Sequence, residues 1–155
     1  MTTYHVLLAL HLIVAVFAVG PLVAAATTAA RGVRTGDAAA TASAARMIRI
    51  YSYASVLVVI LGFALLSVKV SFGGGPKQKL GDFSDTWVWL SLVLWVVAIA
   101  ISLGVLAPSL VKAGTAMSGA RGSASALVGR VAATGGVVGI LFIVIICLMV
   151  WRPGS

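Results

Sequence analysis

Two histidines, three aspartates and one cysteine are the residues of this 155-residue chain best suited to acid–base, nucleophilic or metal chemistry, and their spacing restricts what they can do. His5 and His11 lie six positions apart in one apolar run. On a helix that sets His11 roughly 9 Å deeper than His5 and points the two imidazoles about 120° apart, so they cannot clasp one haem. The rest of the chain has no histidine, so a haem on His11 would need an unusual partner among Met149, Met47 and Met117, or a ligand from a second subunit. Polar residues at membrane depth otherwise bond a neighbouring helix or meet a substrate. Three readings of His11 therefore stand side by side: a structural contact, an axial ligand to haem or another metal, and a quinone or substrate contact.

Other chemistry finds less. Asp37, Asp82 and Asp85 all fall outside the apolar runs. The chain has no paired carboxylates, no glycine-rich phosphate loop after a strand, and no Ser, His and Asp set on facing elements. It is read as a non-enzyme. Ion-coupled transport needs an ionisable group near the bilayer midplane, whereas Lys69 is close enough to a span end to snorkel. Ser55, Ser67, Ser91 and Ser102 are scattered hydroxyls suited to bonds between helices, and a small oligomeric channel built on them is the last alternative. Cys147, alone in Ile145-Ile146-Cys147-Leu148, reads as a small buried hydrophobe.

The elements that must position these residues follow from composition. The chain is 61% hydrophobic and 9% charged, with a mean hydropathy of +1.16, so its solvent must be largely lipid. Four apolar segments, about 4–30, 48–71, 86–107 and 131–151, are each long enough to cross a hydrocarbon layer of roughly 30 Å. Backbone groups in such a layer must pair internally, so each is a helix. The expected fold is all-α: a single domain over 1–155, an antiparallel bundle of four transmembrane helices. Ala24-Ala25-Ala26 imitates a signal-peptide cleavage site, but the segment is too long for a signal core and no Lys or Arg precedes it, so it is read as a retained span.

Asp37 before Ala38-Ala39-Ala40 is suited to cap a helix that protrudes from the membrane before entering span two. Ser84 or Asp85 can cap span three and Ser123 a helix leading into span four, while Gly73-Gly74-Gly75-Pro76 breaks the chain between spans two and three. Gly20-Pro21 inside span one should kink it. In span four, Gly129, Ala133 and Gly136, with Gly135 and Gly139 on the adjacent ridge, offer the small surfaces that let membrane helices approach closely, within the monomer or against another copy or subunit.

Eleven Lys and Arg against three Asp give a net charge of +8. The basic residues lack a compact aromatic-interleaved patch, so nucleic acid is not the expected partner; the lipid bilayer is. Arg31, Arg34, Arg46 and Arg49 in the first loop region, with Lys112, Arg121 and Arg130 in the third, face Lys69, Lys77, Lys79 and Arg152 on the opposite side. Short loops rich in Lys and Arg stay cytoplasmic, which places both termini outside. Tyr4, Phe72, Phe83, Trp87, Trp89 and Trp151 at the outer boundaries, and Tyr51 and Tyr53 at the inner one, form an interfacial belt.

Leu10-His11-Leu12 leading to Phe17-Ala18-Val19-Gly20, the stretch from Ala45-Arg46 to Gly62, and the closing Met149-Val150-Trp151-Arg152-Pro153 resemble an uncharacterised family of bacterial four-helix membrane proteins. That family is distantly similar to the copper-resistance protein D and bacterial protoporphyrinogen oxidase group. The resemblance implies a cofactor role for His11 alone, by its match to the first-helix histidine associated there with haem or copper; Phe17 stands where that motif has tryptophan. The expected function is a non-catalytic accessory subunit of a larger complex in the bacterial cytoplasmic membrane, respiratory or electron-transferring, without a cofactor of its own. A haem-binding bundle using His11 is the first alternative.

Overall fold

The computed structural model describes residues 2–70, 78–79, 81–117 and 122–153, and apart from turns and one short hairpin they are helical. Helix α1 spans Thr2–Thr35 and α2 Ala38–Ser67; strand β1, Lys69–Val70, pairs antiparallel with β2, Gln78–Lys79. Helix α3, Thr86–Ile101, passes through a π-helical turn at Ser102–Leu106 into α4, Ala107–Met117, and α5 spans Gly122–Trp151. Among the described residues four stretches are long and apolar enough to cross a membrane: Thr3–Thr35, Ala38–Ser67, Thr86–Met117 and Leu127–Trp151. The expected second span overshoots its helix, because Val68 turns extended and leads into β1. The Gly73-Gly74-Gly75-Pro76 break and Arg121 lie outside the described residues, as does the side chain of Ser123.

Each helix boundary has a local cause. Gly36 adopts φ +71°, the left-handed conformation open to glycine, while the Asp37 N–H donates to the Gly32 carbonyl and the Gly36 N–H to the Val33 carbonyl, closing α1. The Asp37 carboxylate then accepts the Ala40 N–H at 2.8 Å and opens α2 as expected. Asp85 flanks α3, but its carboxylate turns back to accept the Asp82 N–H at 2.8 Å and makes no cap bond. The expected cap is thus corrected: the carboxylate closes the loop before the helix. The π turn precedes Pro108, which lacks an N–H and would press its ring on the carbonyl four residues back; the wider turn, with the Ala107 N–H donating to Ser102, accommodates it. Helix α1 runs unbroken through Pro21.

The helices form a ring in which α1 packs on α2 and α5, and the third span packs on α5 through α3 and on α2 through α4. Leu22, Ile48, Leu106, Leu110, Val131 and Val138 are fully buried at its centre. Three glycines on this ring are seats for a neighbouring helix. A Cβ on Gly135 would collide with the Ala26 carbonyl of α1, one on Gly139 would come 3.2 Å from Thr27 Cγ2, and one on Gly32 would come 3.0 Å from Thr41 Oγ1. Gly129 and Gly136 have no atom within 4 Å of the same position and Ala133 is exposed. The small-residue ridge Gly129-Ala133-Gly136 therefore faces away from its own bundle, and the adjacent ridge does the packing, because helical positions one apart point about 100° away from each other.

Two outcomes check this arrangement. Gly135→Val should cost at least about 2 kcal/mol in reversible unfolding from lipid bicelles, because backbone stands where its side chain must go, while Gly136→Val should stay within about 0.5 kcal/mol. At the hairpin, the Phe83 N–H on the Asp82 carboxylate and then Lys79 Nζ at 3.4 Å hold Asp82 below its ordinary 3.8. A carboxylate lowered in the folded state stabilises fully above its unfolded pKa and ceases to do so as pH falls through the folded one. Acidification from neutral pH to below 3.8 should therefore release hydrogen-exchange protection at the Phe83 amide while the helical circular dichroism persists.

Candidate functional site

His11 is 9% exposed and lies in the contact between α1 and α2. Gly62 is what admits it: a Cβ there would stand 3.4 Å from Cε1 and 3.8 Å from Nδ1 of the imidazole. Its Nδ1 is buried with no hydrogen-bond partner among the described residues. His5, one and a half turns away, is exposed, with the Tyr4 ring edge-on at 5.3 Å.

This seat does not fit a haem. One side of the ring is closed by the α2 backbone at Gly62, so an axial porphyrin would require α1 and α2 to part. Met47 is fifteen positions before Gly62 on α2, roughly 22 Å along the helix, and Met117 closes α4 at that same far end. Met149 is exposed. Among the described residues no three His, Cys, Asp or Glu side chains gather to hold a metal ion.

Away from His11, the hydroxyls that form bonds mostly serve their own helices, while the buried Oγ atoms of Ser52, Ser91 and Ser102 have no partner among the described residues. Thr27 donates to the Val23 carbonyl at 2.8 Å, Thr28 to Ala24 at 2.6 Å, Ser109 to Val105 at 2.6 Å and Thr134 to Arg130 at 2.7 Å. The expectation that such hydroxyls tie helices together is met at one described pair. Trp95 Nε1 donates to Ser55 Oγ at 3.1 Å across α3 and α2, and Ser55 donates in turn to the Ser52 carbonyl at 2.7 Å. Ser52, Ser55, Ser91 and Ser102 are buried, Ser67 is exposed, and Cys147 is half-buried. Trp95 carried no warning in the sequence: an indole in an apolar run reads as bulk until a facing hydroxyl gives its N–H a partner.

The charged groups separate to the two ends. Arg31, Arg34, Arg46, Arg49, Lys112 and Arg130 are all exposed at the end where α1 turns into α2. At the opposite end Trp87 is buried beneath Gly81, and the Arg152 guanidinium stands 5.6 Å from the centre of its ring, a cation–π contact joining the end of α5 to the start of α3. Phe63 and Phe83 meet there at 5.3 Å. Trp89 and Trp151 remain exposed, as an interfacial belt requires.

The family described as "Predicted integral membrane protein (DUF2269)" matches residues 5–153, nearly the whole chain. No curated protein and no solved structure matches it.

The seat of His11 can be checked by a double-mutant cycle. Gly62→Leu should destabilise by about 2 kcal/mol by driving a branched side chain into the imidazole, and His11→Ala in the same chain should recover about half of that. Strictly additive costs would show that the ring does not rest on Gly62.

Proposed function

We propose a role for this chain, which belongs to the DUF2269 family of predicted integral membrane proteins: it is a non-catalytic accessory subunit of a larger assembly in the bacterial cytoplasmic membrane, docking through the outer face of α5. The observation that carries this reading is the ridge Gly129-Ala133-Gly136, which meets nothing within its own bundle. Lipid gives helices no hydrophobic reason to associate, so a smooth ridge of small residues facing outward is best used by another helix that comes close. Exposed Ile140 and Ile143 continue the same face toward the chain's end.

The assembly is read as respiratory or electron-transferring by elimination, since no span carries the acidic groups that hydrolysis, phosphoryl transfer or ion coupling require. The scatter of the buried hydroxyls of Ser52, Ser55, Ser91 and Ser102, with no carboxylate among them, also counts against a channel. The excess of exposed Arg and Lys at one end supports placing that end in the cytoplasm and both termini outside. A cofactor on His11, suggested by the likeness to the copper-resistance protein D group, is the second reading; the buried unpartnered Nδ1 speaks for it and the closed seat on Gly62 against it.

Mild solubilisation of the native membrane and isolation through a C-terminal tag separates the readings. The accessory role predicts stoichiometric co-eluting subunits that are lost in Gly129→Leu/Gly136→Leu, while the isolated bundle keeps its stability. A free, monodisperse protein would overturn it, and a haem absorption band abolished by His11→Ala would establish the second reading.

A further inference from the structure

A groove of about 640 Å³ opens between α2 and α4 at the arginine end. Ala42, Arg46, Arg49 and Ile50 line it from α2, and Val111 and Gly114 line it from α4. Ala42, Arg46 and Arg49 follow one another at four and three positions, so they share one helix face, and both arginines are exposed there.

The depth of the groove follows from helix length. Helix α2 runs eighteen residues from Arg49 to its end at Ser67, about 27 Å, and Lys69 follows just beyond, so the two cations bracket a length close to the thickness of a bilayer's hydrocarbon layer. With Lys69 at one boundary, Arg49 marks the other, Ile50 is the first residue inside, and Arg46 stands one turn out among the headgroups. Among the described residues no carboxylate forms an ion pair with either guanidinium group. Asp37 accepts from Ala40 at the start of α2, while Asp82 and Asp85 are engaged in the loop at the opposite end. Among the described residues the one ion pair is Lys79–Asp82.

We propose that this groove binds an anionic phospholipid, its phosphate held between Arg46 and Arg49 and an acyl chain laid over Ile50 and Val111. Guanidinium groups three positions apart present parallel N–H donors to one phosphate, and basic recesses between membrane helices suit headgroups of net negative charge. Small side chains at Ala42 and Gly114 leave room for the glycerol backbone; a Cβ on Gly114 would meet nothing within 4 Å.

The test is native mass spectrometry of the full chain titrated with phosphatidylglycerol or phosphatidylcholine in mild detergent. Phosphatidylglycerol should be retained preferentially, and Arg46→Gln/Arg49→Gln should weaken it roughly 30-fold, from the usual contribution of each basic residue at a membrane surface. Gly114→Leu, which fills the groove without touching charge or clashing with the fold, should weaken it comparably. Arg31→Gln/Arg34→Gln, an equal loss of charge on α1 at the same end, should change it by less than about threefold. Equal losses from both arginine pairs would reduce the effect to diffuse surface charge and overturn the site, as would Gly114→Leu binding like wild type. Displacement of the lipid by inorganic phosphate would show that the groove takes a free anion instead.

Discussion

Helices in hydrocarbon gain nothing by burying leucine against leucine instead of lipid, so this bundle depends on how closely its backbones approach. The tightest approach is that of α5 to α1, where Gly135 lies directly on the Ala26 carbonyl and Gly139 follows over Thr27. Gly32 does the same for α2 at Thr41, and Gly62 admits the ring of His11. All these contacts have one partner on α1, which makes the first helix the surface against which the second and fourth spans are set. The third span reaches the ring from the other side, and its π turn lets it carry Pro108 while keeping Leu106 and Leu110 fully buried.

The same economy governs the polar groups. A hydroxyl that donates to the carbonyl one turn back needs no partner from another helix, and Thr27, Thr28, Ser55, Ser109 and Thr134 are satisfied in that way, whereas the buried Ser52, Ser91 and Ser102 are not. What remains between helices is a single described bond, Trp95 to Ser55, of the kind worth on average about 0.6 kcal/mol in a membrane protein. The interior keeps a few polar atoms without a described partner, His11 Nδ1 and the hydroxyls of Ser52, Ser91 and Ser102, but no carboxylate beside them. The two surfaces that stand out are the open small-residue ridge of α5 and the basic groove between α2 and α4.

Charge is distributed by a comparable division of labour. The three aspartates are all spent on short-range backbone duties, one opening α2 and two ordering the loop before α3. Only Asp37 lies at the end that gathers the exposed cations, where it pairs with none of them among the described residues, so that end keeps a net positive field that lipid headgroups can answer. The cation at the chain's other end, Arg152, instead lies over the ring of Trp87 and so helps fasten the last helix to the third.

Features governed by neighbouring residues could be read directly from the sequence. The four apolar lengths, the Asp37 cap and the concentration of Arg and Lys at one end all follow from local hydropathy, local hydrogen bonding and loop charge. The faces of the helices could not be read in this way. In a chain apolar nearly all round, no polar stripe marks which side is inward, and helices turn about 100° at each residue. Gly135 and Gly136 are therefore equivalent in sequence and opposite in use. Likewise, the burial of His11 was expected, but its seat on Gly62, fifty-one positions away, and the pairing of Trp95 with Ser55 arise only once two helices are set side by side. The sequence by itself determined that there are four apolar helices to pack; only the tertiary structure decided which face each presents, because that choice rests on contacts between residues far apart in the chain.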